Sequence, residues 1–192
     1  MSPRKIMSTA VLGLFLLMSP AAAIAEEQQT AQEAMPEMGP PQEIKDLAYL
    51  VGDWDVVMKS KWDPTDEDWI ETKGIANYKY VAEGSVLQIT YDSQVMEMHF
   101  SGFGLQCFDR ESNQWQMVWS DNFGARISYY EGTKKDGRMV MTGEEKWMGK
   151  TAIGRITTYN ETDTSFEWDM ESSYDGGKTF IKSAWAKYTK RQ

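Results

Sequence analysis

The sequence predicts an all-β domain: a single up-and-down antiparallel barrel of about ten strands, entered by one short N-terminal helix. Three observations carry that prediction. Pro64 is the last proline, so residues 65–192 lack the residue that interrupts interior ladders. Short alternating runs fill that stretch, separated by Gly, Asn and Asp at nearly regular spacing. The connections between runs are too short for a crossover helix, which makes consecutive strands antiparallel neighbours. An open meander of that length would expose unpaired edges, whereas closure removes them. A barrel of that size has room for a small ligand beside its own side chains.

The chain opens on a secretory signal pattern over residues 1–25. Arg4 and Lys5 form the positive end, Val11 to Met18 the apolar core, and Ala23-Ile24-Ala25 the small-x-small cleavage site. Its run of about 13 apolar residues falls short of the roughly 20 that span a bilayer, so no membrane anchor is expected after cleavage. A periplasmic or secreted location follows as an expectation. Residues 26–42 lack aromatic and β-branched apolar residues, which predicts a flexible leader ahead of one domain at 43–192. Met35 and Met38 in that leader are not repeated at the same spacing nearby, so they make a poor metal motif.

Glu43–Val51 is the predicted helix, with Ile44, Leu47 and Leu50 three apart and Gly52 as its stop. Strands are then expected at 53–61, 69–81, 85–92, 96–108, 114–120, 125–131, 138–142, 150–160, 165–173 and 179–189. In the first, Trp54, Val56 and Met58 share a face. Leu87, Ile89 and Tyr91 align in the third, and Met96, Met98 and Phe100 in the fourth, where Gly102 and Gly104 suggest a bulge. The fifth is the clearest: Trp115, Met117 and Trp119 alternate with Gln114, Gln116 and Ser120. The sixth places Ile127 and Tyr129 in phase, and the ninth Phe166, Trp168 and Met170.

Composition excludes several function classes. A net charge of −9 argues against nucleic acid as partner, and removing Arg4 and Lys5 with the signal makes the chain more acidic still. One Cys and one His rule out an internal disulfide and a zinc site built from cysteines or paired imidazoles. No cofactor or metal is expected.

The segment Leu47-Ala48-Tyr49-Leu50-Val51-Gly52-Asp53-Trp54 resembles the entry of lipocalin-type, calycin-like barrels, in which a short helix leads to Gly-x-Trp on the first strand. Gly104-Leu105-Gln106-Cys107-Phe108-Asp109, the spaced Trp115 and Trp119, Tyr130-Glu131-Gly132, Asp136-Gly137 and Thr142-Gly143 are similar to an uncharacterised bacterial family of lipocalin-like domains of unknown function. The likeness runs over about residues 44–190. It implies a lipocalin or fatty-acid-binding-protein-like barrel whose Trp54 packs across the closed end under a basic residue, with Lys187, Lys190 and Arg191 as candidates. The lipocalin Thr-Asp-Tyr motif is absent.

The candidate ligand-binding set is Trp54, Met58, Trp115, Met117, Trp119, Tyr129, Trp168 and Met170. These residues form either a packed core or the wall of a cavity for a small apolar or aromatic molecule, with Gly74, Ala76, Ala152, Gly154 and Ala184 leaving room. No catalytic constellation is legible. His99 falls on the face opposite Met98 and Phe100, Cys107 reads as a small hydrophobe, and Gly176-Gly177-Lys178-Thr179 reads as a hairpin turn. Asp63, Asp66, Glu67, Asp68 and Glu71 make an acidic loop without calcium-loop spacing. Among Glu144, Glu145, Glu167 and Asp169, a glycosidase pair would need two inward carboxylates, and the last two lie opposite Trp168. Binding of a small apolar ligand is therefore the leading expectation. The alternatives are a solid-cored module that meets a protein partner, and an enzyme acting on a bound molecule.

Overall fold

The computed structural model describes residues 38–147 and 149–192. The expected signal segment 1–25 lies outside them, as does most of the leader. Helix α1 (Gln42–Lys45) and a 3₁₀ turn (Ala48–Leu50) precede ten strands. These are β1 (Gly52–Ser60), β2 (Ile70–Val81), β3 (Val86–Val95), β4 (Met98–Asp109) and β5 (Gln114–Asp121). They continue as β6 (Ser128–Lys135), β7 (Arg138–Trp147), β8 (Lys150–Tyr159), β9 (Ser165–Ser173) and β10 (Ile181–Lys190). Every strand pairs antiparallel with its neighbours in sequence, and β1 pairs with β10 to close the barrel.

The predicted helix over 43–51 splits in two. Spacing of three repeated over Ile44, Leu47 and Leu50 matches the 3.0-residue period of a 3₁₀ turn rather than the 3.6 of an α-helix. All three side chains are buried. They plug one end of the barrel, where the Tyr80 hydroxyl donates to the Ile44 carbonyl at 2.7 Å.

Trp54 sits behind this plug and is fully buried. Its indole N–H donates to the Leu50 carbonyl at 2.7 Å, which ties the turn to the first strand. Phe166 meets its ring edge-on at 5.0 Å between centroids. Of the three basic candidates, Lys190 covers it: the ammonium lies 5.3 Å from the ring centroid and donates to the Tyr49 carbonyl at 2.7 Å. Gly52 begins β1 at a φ of 130°, a left-handed value that L side chains avoid, with the Lys190 stem passing beside it.

Two predicted phases are corrected. Strand β6 starts at Ser128 rather than 125, because Asp121 holds residues 121–125 in a turn by accepting from the amides of Phe123 and Gly124. Ser128 and Tyr130 therefore face inward, while Ile127 is 76% and Tyr129 45% exposed. In the β3–β4 turn Met96 has a φ of 57°, so alternation stops there and both Met96 and Met98 are exposed. Gly102 and Gly104 form no bulge: β4 keeps its register with β5 through both. They make space instead, since a Cβ on Gly102 would stand 2.1 Å from Cζ2 of Trp119.

Candidate functional site

Strand alternation puts two abutting cavities inside the barrel. The deeper one, next to the plugged end, has a volume of about 240 Å³. Five methionines line it: Met58 on β1, Met117 on β5, Met139 and Met141 on β7, and Met170 on β9. Trp119 and Trp168 supply flat walls, and Glu161 is the only charged residue in its lining, ion-paired with Lys134. Thioethers adapt to varied shapes and rings offer broad apolar area, so the chamber suits a greasy or aromatic body. One buried amide enters it: Gln106 donates to the Met139 sulfur at 3.3 Å, a weak acceptor.

The outer cavity, of about 290 Å³, opens toward the β1–β2 loop. It shares Met58, Tyr91, Phe100 and Met170 with the chamber, so these four form a waist between the two. Gly74 underlies the waist, because a Cβ there would stand 2.6 Å from Cε2 of Tyr91. The mouth is framed by Trp62, stacked on Phe123 at 6.1 Å, and by the Lys150–Asp63 ion pair at 2.5 Å. Lys150 and the Thr65 hydroxyl and amide hold the Asp63 carboxyl well below the usual range.

This outer cavity, a vestibule to the chamber, carries a partly buried carboxylate held by hydroxyl partners. Glu145 on β7 accepts from the Tyr130 hydroxyl at 2.7 Å and from the Ser172 hydroxyl at 3.3 Å. Burial raises its pKa above the ordinary carboxyl value; the two hydroxyl donors and the Arg126 charge oppose that shift without cancelling it. Gly154 on β8 leaves the space across which Glu145 lies: a Cβ there would come within 2.4 Å of the Glu145 carboxyl carbon. Tyr130, whose own pKa is pushed up by burial, links the two cavities, with its ring on the chamber and its hydroxyl on Glu145.

Of the candidate ligand-binding residues, Met58, Met117, Trp119, Trp168 and Met170 line the chamber. Trp54 and Trp115 are buried in the packed part of the core instead. Tyr129 points outward to Glu131, and Tyr130 takes the interior position. The interior is thus packed at its plugged end and hollow beyond it. Strand β7, expected over 138–142, runs on to Trp147, and the alternation of Met139 and Met141 carried through Gly143 reaches Glu145. The other acids lie outside: Glu144 pairs with Lys146, Glu167 accepts from the Trp185 indole and Asp169 pairs with Lys182. A two-carboxylate glycosidase pair is not assembled. His99 is exposed beside Asp92, and Cys107 is half-buried with its thiol pKa raised by desolvation. Among the described residues no group of three His, Cys, Asp or Glu is placed to hold a metal ion.

A closed antiparallel barrel, plugged at one end by a short helix and hollow inside, is the architecture of calycin-like, lipocalin-like proteins. Two solved structures have a similar fold: Rv2717c from M. tuberculosis, and the S-type phycobiliprotein lyase CPES from Guillardia theta. The first matches with a TM-score of 0.56 at 12% identity, over 80% of this chain and 99% of the other. The second matches with a TM-score of 0.53 at 11% identity, over 77% and 92%. At such identities the likeness is one of fold. The chain belongs to the DUF1579 family, proteins of unknown function, whose pattern it matches over residues 39–183. No curated protein matches its sequence.

Proposed function

We propose that this protein is an exported, non-catalytic barrel that binds a small hydrophobic or aromatic molecule in its deep chamber. The observation that carries the reading is the chamber itself: about 240 Å³ walled by methionines, Trp119 and Trp168, next to the plugged end of the barrel. A site that is mostly apolar with a few convergent polar groups is the usual form of a small-ligand pocket. The family description names no activity, so the reading rests on geometry.

Titration with N-phenyl-1-naphthylamine tests it. Trp119 and Trp168 line the chamber, so their emission should fall as the probe's rises, saturating at one probe per chain. Met141→Trp, which fills the chamber, should abolish uptake in a folded protein. Failure of the wild type to take up probe saturably would remove the proposal. Export is tested separately by sequencing the N-terminus of protein recovered from the cell envelope or medium. Glu26 is the expected first residue, and an intact Met1 in the cytosol would contradict it.

A further inference from the structure

We propose that the vestibule reads the head group of the bound molecule, and that this head is uncharged and carries both a hydrogen-bond donor and an acceptor, as an alcohol or primary amide does. The inference rests on the chamber being a ligand site. It concerns what the outer cavity adds. Two hydroxyls in its wall, Tyr91 Oη and Ser93 Oγ, have no hydrogen-bond partner although the residues are only 3% and 7% exposed. A buried polar atom without a partner is costly, and both residues line the cavity, where the head group of a ligand could supply the missing partner. Both hydroxyls can donate or accept, so neither selects a charge. Thr72, Ser172 and Ser183 add further hydroxyls to the same wall.

Two of the four charged residues on that wall are engaged elsewhere. Lys150 is held by Asp63, and Lys61 lies 4.8 Å over the ring of the exposed Trp69. That leaves Glu145 and Arg126, within electrostatic range of each other and without a direct bond between them. A carboxylate head would meet Glu145, and an ammonium head would meet Arg126. A neutral donor–acceptor head can give a hydrogen bond to the free lone pairs of Glu145 and take one from Arg126, Ser93 or Tyr91. Both hydrogen bonds that Glu145 already accepts stay in place.

Competition against bound N-phenyl-1-naphthylamine tests the assignment, using decanol, decanamide, decanoate, decylammonium and 1-chlorodecane. Decanol and decanamide should displace the probe at concentrations about tenfold lower than the two ions do. They should also do so about tenfold lower than 1-chlorodecane, which is more apolar but has no hydrogen-bonding head. Tyr91→Phe with Ser93→Ala should erase the advantage over 1-chlorodecane. Glu145→Gln should selectively improve decanoate, and Arg126→Gln should selectively improve decylammonium. An unchanged far-UV circular dichroism spectrum shows that each variant keeps its fold. Probe uptake with all five competitors equal, or with an ion strongest, overturns the head-group assignment and leaves the chamber standing. No probe uptake at all overturns both.

Discussion

Gly102→Ala is the sharpest perturbation of the wall that shapes the chamber. The added Cβ would sit 2.1 Å from Cζ2 and 2.7 Å from Cη2 of Trp119. Carbon atoms rest about 3.5–4.0 Å apart, so the indole edge must retreat by more than about 1 Å. The indole is not free to do so, because its N–H donates to Asp121 Oδ2 at 3.0 Å. Overpacking of this kind costs about 1–3 kcal/mol, and losing the hydrogen bond adds about 1 kcal/mol. The sum, about 2–4 kcal/mol, should lower the urea midpoint by about 1–2 M for a slope near 2 kcal/mol/M. Retreat also drives the ring into the chamber, so probe affinity should fall. Trp119→Leu removes the clashing edge, and the double variant should be about 1–2 kcal/mol more stable than additivity predicts. A Gly102→Ala midpoint equal to wild type, or strict additivity with Trp119→Leu, would refute the packing argument.

Three further outcomes follow from the same geometry. Burial raises the folded-state pKa of Glu145 above the ordinary 4.5, so the stability that its protonated form contributes is complete below that pH and lost as pH rises through the folded value. Denaturation of wild type and Glu145→Gln from pH 4 to 8 should therefore show wild-type stability falling relative to the variant; a flat or rising difference contradicts it. Lys190→Met should cost about 1–2 kcal/mol in chemical denaturation, because it removes both the cation over Trp54 and the donor to Tyr49, whereas Arg191→Met, which loses an exposed ion pair with Asp55, should cost less. Asp175, pushed down to about 2 chiefly by the Thr179 amide and hydroxyl, stabilises the β9–β10 turn above pH 3.8 and loses that effect as pH falls toward 2. Asp175→Asn should abolish that acid-side dependence in amide-exchange rates of the turn.

The strands were legible wherever one phase was much more apolar than the other. Trp115, Met117 and Trp119 admit a single inward assignment, as do Leu87, Ile89 and Tyr91, and both hold in the barrel. Strand β6 was ambiguous because Tyr129 and Tyr130 are adjacent, so either phase buries a tyrosine. The deciding fact is the Asp121 turn, which depends on side-chain hydrogen bonds rather than on periodicity. Glu145 was hidden for a different reason. A charged residue ends an apolar pattern in sequence, whereas here the alternation runs on because Tyr130, Ser172 and the space above Gly154 accommodate the carboxylate. The glycines at 102 and 104 show the same limit: their role is set by a ring on the neighbouring strand, which pairing register alone reveals.

The most direct test of the barrel as a ligand chamber is a crystal structure of the protein soaked with decanol brominated at its far carbon. Anomalous bromine density is expected among Met117, Met141 and Trp168, with the hydroxyl in the vestibule near Ser93 or Glu145. An interior filled by side chains, with no bromine inside the barrel, would contradict it.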